Sequence, residues 1–177
     1  MRWDLDKRGM GALALALCCI AGPAAADDSQ IARGKYLVGI TGCSDCHTPG
    51  GMLGSPDMSR YLGGSDVGFS IPTQGVFVGQ NLTPDKETGL GAWTAQQIVT
   101  AIRTGKRPDG VELSGVMPWA SFSRLTDEDA FAITAFLQGL PPVRNKVQAY
   151  SPSDRVPIPV STVLPPEAYN ALPQTLK

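Results

Sequence analysis

The chain has 177 residues, and its 15 lysines and arginines nearly balance its 16 aspartates and glutamates, which gives a formal net charge of −1. This balance excludes the strongly basic composition typical of nucleic-acid-binding proteins. Hydrophobic residues make up 42% of the chain, and the length without residues 1–26 is that of one domain.

Residues 1–26 have the pattern of an export signal. Basic Arg2, Lys7 and Arg8 precede a short apolar run at residues 11–20, and small residues lead to a predicted cleavage site after Ala26. The run is shorter than the roughly 20 residues that span a bilayer. We therefore expect cleavage of this signal, a periplasmic mature protein and no membrane span in it.

Two other interpretations of this segment stay open. It could be a buried N-terminal helix, or it could carry a lipid anchor on Cys18 or Cys19. Leu17 stands directly before Cys18, where a lipoprotein signal has a small residue. After cleavage, Cys43 and Cys46 are the cysteines that enter the oxidising compartment.

Three segments have helical patterns. Residues 30–40 carry apolar side chains at helical spacing and lead directly into the cysteine pair. Residues 94–97 fit a capping box, and the apolar stripe behind them predicts a helix that ends at Gly105. Acidic residues after Thr126 begin a third predicted helix, which ends at Gly139.

The remaining segments are rich in glycine and proline. Residues 48–86 predict turns and irregular chain, and so long a loop needs a group around which to wrap. Residues 76–78 are the only brief strand candidate, so the predicted fold is mainly α. More than half of the 15 prolines lie in residues 141–177, which lack any strand-like run and predict a tail.

The sequence Cys43-Ser44-Asp45-Cys46-His47 has the C-x-x-C-H pattern of covalent haem attachment. On a helix start, two cysteines three positions apart project from one side. Both thiols can then add to the two vinyl groups of one haem, and the adjacent His47 becomes the proximal iron ligand.

Two alternatives compete with haem attachment. A disulfide between Cys43 and Cys46 would leave His47 without a role, and no apolar strand of the thioredoxin type precedes the motif. A zinc site needs four ligands, and the mature chain has no further cysteine or histidine to complete the usual set.

The second axial ligand of the iron follows by elimination. His47 is the only histidine, which leaves methionine as the usual partner. Met52 follows His47 too closely to reach the opposite haem face, and Met58 could barely reach it. Met117 lies in an irregular loop before Pro118 and is the predicted ligand, with core packing as its alternative role.

The order of motifs closely resembles class I cytochrome c domains, in particular those of the multihaem cytochrome subunits of bacterial alcohol and sugar-acid dehydrogenases. The likeness covers about residues 30–143 and rests on Cys43–His47, residues 81–85, residues 88–93, Met117-Pro118, residues 125–129 and residues 140–142. It implies the class I cytochrome c fold around one covalent haem, held by Cys43, Cys46, His47 and Met117. Those subunits repeat the domain, whereas this chain has one copy.

The resemblance or local chemistry suggests roles for four further residues. Gly34 and Phe136 resemble the glycine and aromatic ring where the first and last helices of such domains cross, although ordinary core packing also explains them. The indole N–H of Trp93 could bind a haem propionate or simply cap the core. A backbone carbonyl near Pro72 could accept a hydrogen bond from the second ring nitrogen of His47.

These features predict an electron carrier and not an enzyme. With both axial positions filled, no open iron site remains for a substrate. We expect one-electron transfer between a dehydrogenase-type donor and a respiratory acceptor such as an oxidase or another cytochrome. Alternatives are a fixed subunit of an oxidoreductase complex, and a haem enzyme or ligand sensor with an open sixth site.

The predicted organisation is a signal peptide at 1–26, a monohaem domain at 27–143 and a proline-rich C-terminal arm at 144–177. The arm holds more apolar residues than a solvated linker requires. We expect it to pack over its own domain or onto a partner subunit, with disorder as the alternative.

Overall fold

The computed structural model describes residues 27–71, 74–150, 155–158 and 160–162. The predicted signal at residues 1–26 lies outside the described residues. In chain order the helices are α1 (Asp28–Ile40), α2 (Cys43–His47), α3 (Ala95–Thr104), α4 (Trp119–Phe122) and α5 (Asp127–Gln138). The prediction of a mainly α fold is confirmed.

Local hydrogen bonds explain where the three longer helices begin. The Asp27 carboxylate accepts from the backbone N–H of Gln30 at the start of α1. Thr94 and Gln97 form the predicted reciprocal capping box at the start of α3. The Thr126 hydroxyl caps α5, whose first turn is acidic and therefore complements the helix dipole.

Helices α1 and α5 cross at Gly34. A Cβ atom on Gly34 would lie 1.9 Å from the carbonyl oxygen of Ala132 and 2.8 Å from the Cβ of Phe136. The backbones therefore approach more closely than any side chain permits, as predicted for Gly34 and Phe136. The buried cluster around this crossing consists of Leu37, Val38, Leu62, Ile98, Ile133, Phe136 and Leu137.

Two strands from the long loop after α2 and one strand from the C-terminal arm form a small sheet. Its strands are β1 (Gly68–Ile71), β2 (Gly75–Val78) and β3 (Val160–Thr162), in the order β2-β1-β3. β1 pairs antiparallel with β2 and parallel with β3. The strand candidate at residues 76–78 is confirmed, but the prediction that the tail has no strand is wrong. Three residues are too few for a periodic signal, and β1 supplies the hydrogen bonds that hold them extended.

The described part of the C-terminal arm packs on its own domain. The Asn145 side chain donates its Nδ2 hydrogen to the carbonyl oxygen of Gly63 at 2.8 Å. Farther along, the backbone N–H of Val76 donates to the carbonyl oxygen of Tyr150 at 3.2 Å. These contacts, together with β3, lay the arm along the loop between α2 and α3.

Among the described residues, none of the helices combines the length and apolar character needed to cross a bilayer.

Candidate haem-attachment site

Helix α2 carries the C-x-x-C-H motif directly after α1. Gly42 separates the two helices in the left-handed conformation, with φ 70°, and this turn redirects the chain into α2. Cys43 and Cys46 are partly buried free thiols, so the described structure does not contain the alternative disulfide. Their three-residue separation on one helix places both sulfurs on one side of α2.

The surroundings of the two sulfurs favour the uncharged form. The Thr41 hydroxyl donates to the carbonyl oxygen of Leu37 at 2.8 Å, so the Cys43 thiol donates to Thr41 Oγ1 at an S···O distance of 3.2 Å. Burial raises the pKa of Cys43, and burial together with the charge of Asp45 raises the pKa of Cys46. Neutral thioethers therefore suit these positions better than thiolates.

His47 is held by a backbone carbonyl. Its Nδ1 atom lies 2.6 Å from the carbonyl oxygen of Gln80, which can only accept a hydrogen bond. Nδ1 therefore carries the proton, and the Nε2 lone pair is free for a metal. Burial lowers the pKa of His47, against a smaller opposing effect of the Gln80 contact, so the ring is neutral as an iron ligand must be.

The carbonyl that accepts from His47 differs from the predicted one. Pro72 lies outside the described residues, and Gln80 provides the contact that the sequence assigned to a carbonyl near Pro72. Gly79 is a sequence feature that could have indicated this contact, because it directly precedes Gln80. A Cβ atom there would lie 1.7 Å from the carbonyl oxygen of Cys46, so only glycine lets this segment approach α2.

A second segment encloses the other side of His47. The backbone N–H of Gly64 donates to the carbonyl oxygen of His47 at 2.8 Å, and that of Ser65 donates to Gly79 at 2.8 Å. The hydroxyl of Thr48, a fully buried residue, accepts from the N–H of Leu62 at 3.0 Å. His47 is therefore fixed by its ring, its own carbonyl and the residue that follows it.

Met117 lies in the connection between α3 and α4. Its N–H donates to the carbonyl oxygen of Ser114 at 3.0 Å, and its carbonyl accepts from Trp119 at 2.8 Å. Met117 is partly buried, whereas Met52 is 42% and Met58 63% exposed. Because an axial ligand must point inward, burial favours Met117 among the three, and its contact with iron stays a prediction.

Met52 lies on the attachment side of α2. Its sulfur is 4.0 Å from the sulfur of Cys46. This position agrees with the sequence argument that Met52 follows His47 too closely to reach the opposite haem face.

The two tryptophans near the predicted site are packed differently. Trp93 is partly buried against the hydrophobic cluster, and its role toward a propionate stays a prediction beside the core-capping alternative. Trp119, which the sequence argument did not use, stacks on Gly105, where a Cβ atom would lie 2.8 Å from three ring atoms. The left-handed φ of 71° at Gly105 ends α3 beneath this ring.

The donor set fits covalently attached haem. Two uncharged thiols on one side of α2 match the two thioether bonds, and the free Nε2 of His47 matches an iron ligand. In the described part of the chain, no group of three or more histidine, cysteine, aspartate or glutamate side chains is arranged to hold a bare metal ion.

Comparison with known proteins identifies the family. The family model for cytochrome c matches residues 31–141. The chain is 37% identical over 119 residues to the cytochrome c subunit of quinone-dependent alcohol dehydrogenase from Gluconobacter oxydans (strain 621H). It is 36% identical over 140 residues to the fructose dehydrogenase cytochrome subunit of Gluconobacter japonicus, and 35% over 137 residues to the gluconate 2-dehydrogenase cytochrome c subunit of Pantoea cypripedii.

These alignments include 67, 78 and 77% of this chain. They include only 23, 26 and 28% of the relatives, so the chain matches about a quarter of each relative's length. The family match and this degree of identity show that the chain belongs to the cytochrome c family of electron-transfer proteins, whose cofactor is covalently bound haem c.

Proposed function

We propose that this protein is an exported electron-transfer subunit that carries one haem c and passes single electrons within a periplasmic dehydrogenase complex. The observation that carries this proposal is the neutral imidazole of His47, which Gln80 holds beside the free thiols of Cys43 and Cys46. Haem supplies reversible one-electron exchange at its iron.

Each residue of the site has a distinct part in the proposal. Cys43 and Cys46 would hold the haem through two thioether bonds, each formed by adding its S–H across a vinyl group, with sulfur on one carbon and hydrogen on the other. His47 would donate the Nε2 lone pair to the iron, and the Gln80 carbonyl keeps the proton on Nδ1 and fixes the ring plane. Met117 would supply a thioether ligand to the iron, a type of ligand that raises the reduction potential.

Two kinds of electron carrier fit this site. A diffusing carrier would shuttle between a dehydrogenase and a respiratory acceptor. The three relatives named above are instead cytochrome subunits of dehydrogenases, and this favours a fixed subunit. The single C-x-x-C-H motif corresponds to one haem, although one relative is named a dihaem cytochrome.

Export supports the periplasmic location. Residues 1–26 have the basic, apolar and small-residue order of a secretory signal, and the remaining cysteines suit haem attachment in an oxidising compartment. Fractionation of cells that produce the tagged chain, with N-terminal sequencing of the product, tests both the compartment and cleavage after Ala26.

The attachment test replaces both motif cysteines. The double variant Cys43→Ala/Cys46→Ala should lose all haem that survives denaturing electrophoresis, whereas the matched variant Cys18→Ala/Cys19→Ala should keep it. Covalent haem in the motif variant would refute the proposed attachment.

A separate experiment distinguishes a fixed subunit from a diffusing carrier. The tagged holoprotein should co-purify with a dehydrogenase from its own periplasm at moderate salt and accept electrons from it. Recovery as a free monomer that still mediates electron transfer would favour the diffusing carrier.

A further inference from the structure

The C-terminal arm contacts the turn that holds His47. This turn, Leu62–Gly64, contains an unusual backbone conformation, because Leu62 has φ 58° and is the one non-glycine residue with positive φ among those described. Leu62 is also fully buried. Such a conformation is unfavourable for leucine and persists only where neighbouring contacts hold it.

Contacts on the inner side of the turn lead to the proposed iron ligand. Gly64 N–H donates to the His47 carbonyl at 2.8 Å, and Leu62 N–H donates to the Thr48 hydroxyl at 3.0 Å. The positions of the His47 carbonyl and of the Thr48 side chain therefore depend on the turn keeping its conformation.

Contacts on the outer side come from the arm and from Val143, the residue directly before it. The Nδ2 atom of Asn145 donates to the carbonyl oxygen of Gly63 at 2.8 Å, and its backbone N–H donates to the Thr88 hydroxyl at 3.1 Å. Cβ atoms on Gly63 and Gly64 would lie 2.8 and 2.4 Å from the side chains of Val143 and Val147. Residues 143, 145 and 147 thus present one face of an extended segment to the turn.

The opposite face of the same segment provides a natural comparison. Arg144 points away from the turn and pairs with Glu87 at 2.6 Å, and these side chains are 76 and 66% exposed. Neither side chain contacts the turn through a hydrogen bond. Loss of this pair should therefore leave His47 unaffected.

We propose that Asn145 is a positioning residue for His47, through which the C-terminal arm sets the reduction potential of the haem. The inference rests on the proposed role of His47 as the iron ligand. Without the Asn145 amide, Gly63 loses a hydrogen-bond donor and the turn can relax. The His47 backbone then shifts relative to Gln80, which weakens the Nδ1 hydrogen bond.

The direction of the effect follows from ligand basicity. A strong hydrogen bond from Nδ1 makes the imidazole a better electron donor and stabilises the oxidised iron. Weakening that bond should therefore raise the reduction potential. It should also expose the ring N–H to exchange with solvent.

The experiment compares Asn145→Ala and the nearly isosteric, uncharged Asn145→Leu with the control Arg144→Ala, all as holoproteins. Leucine keeps nearly the shape of asparagine but cannot donate to Gly63 and adds no charge, so this variant carries the test even if Asn145→Ala does not fold. Redox titration should show a higher potential in both Asn145 variants. Exchange of the His47 Nδ1 hydrogen, followed by NMR in the reduced protein, should be about five to ten times faster, as expected for the loss of one hydrogen bond.

Haem staining after denaturing electrophoresis separates the two proposals. Absence of covalent haem from the unmodified protein would refute the proposed function itself. With haem attached, an unchanged potential and exchange rate in the Asn145 variants would overturn the inference, even if their melting temperature fell. An equal shift in Arg144→Ala would also overturn it, because that variant leaves the Gly63 contact intact.

Discussion

The Nδ1 atom of His47 lies 2.6 Å from the carbonyl oxygen of Gln80, across 33 positions of sequence. This contact fixes the ring tautomer with the proton on Nδ1, and it leaves Nε2 on the side of the ring away from Gln80. It depends on the close approach of Gly79 to Cys46. The consequences of that approach can be tested directly.

Gly79→Ala should disturb the site through backbone displacement. The new methyl group would lie 1.7 Å from the carbonyl oxygen of Cys46, so the 79–80 segment must move and the His47–Gln80 hydrogen bond must lengthen. We expect a lower yield of holoprotein and a changed reduction potential in what remains. A yield and potential equal to those of the unmodified protein would show that the segment tolerates the displacement.

Met117→Ala should separate haem attachment from axial ligation. Attachment depends on the two thiols, so covalent haem should stay, whereas the sulfur-to-iron charge-transfer band should disappear and the potential should fall. The exposed Met58 provides the matched control, since Met58→Ala should retain the band. If Met117→Ala retains it instead, Met58 or Met52 is the ligand.

Carbon monoxide distinguishes a closed haem from an open one. With Met117 bound, the reduced protein should bind carbon monoxide slowly and incompletely, and Met117→Ala should bind it rapidly at one equivalent per haem. Rapid stoichiometric binding by the unmodified protein would favour the haem enzyme or ligand sensor over the electron carrier.

Gly34→Ala should destabilise the crossing of α1 and α5. A methyl group at this position would lie 1.9 Å from the Ala132 carbonyl oxygen, so the helices must separate, at a cost of about 1–3 kcal/mol in the free energy of unfolding. Gly39 lies in the same helix, and a Cβ atom on it would have no neighbouring atom within 4 Å, so Gly39→Ala should be neutral or stabilising. Chemical unfolding of both variants measures the difference, and equal stabilities would contradict the packing argument.

The ion pair between Arg33 and Asp129 predicts an acid-dependent link between the same two helices. Arg33 Nε donates to Asp129 at 2.9 Å, and this hydrogen bond holds the pKa of Asp129 below its ordinary value of 3.8. Because the folded pKa is the lower one, the pair stabilises the fold above pH 3.8, and this contribution is lost as the pH falls through the lowered value. Unfolding of Arg33→Gln should therefore differ from that of the unmodified protein near neutral pH and converge with it in acid. A stability difference that does not change with pH would exclude the pair as its cause.

Removal of the arm after Arg144 should lower the melting temperature. The truncated chain loses the Asn145 contact with Gly63, the Tyr150 contact with Val76 and strand β3. Thermal unfolding of the holoprotein measures this effect. Unchanged stability combined with weaker partner binding would instead show that the arm acts mainly in docking.

The chemistry of attachment and most of the helical frame can be predicted from the order of residues. Cys43, Cys46 and His47 are close together in the chain, so their relationship needs only the local geometry of one helix turn. The caps at Thr94 and Thr126 are equally local, because each side chain bonds a backbone N–H three positions ahead. Gly34 and Phe136 could be paired only by their resemblance to other domains of the family.

The backbone groups that hold the histidine could not be predicted in this way. The Gln80 carbonyl and the Gly64 N–H reach His47 from loops with no periodic pattern, and every residue except proline carries the same backbone donor and acceptor. For the same reason, strand β3 and the Asn145–Gly63 contact could not be predicted from the sequence. Both join segments that are far apart in the chain. Sequence pattern identifies side-chain chemistry and local repeats, whereas long-range backbone hydrogen bonds are set by how the whole chain packs.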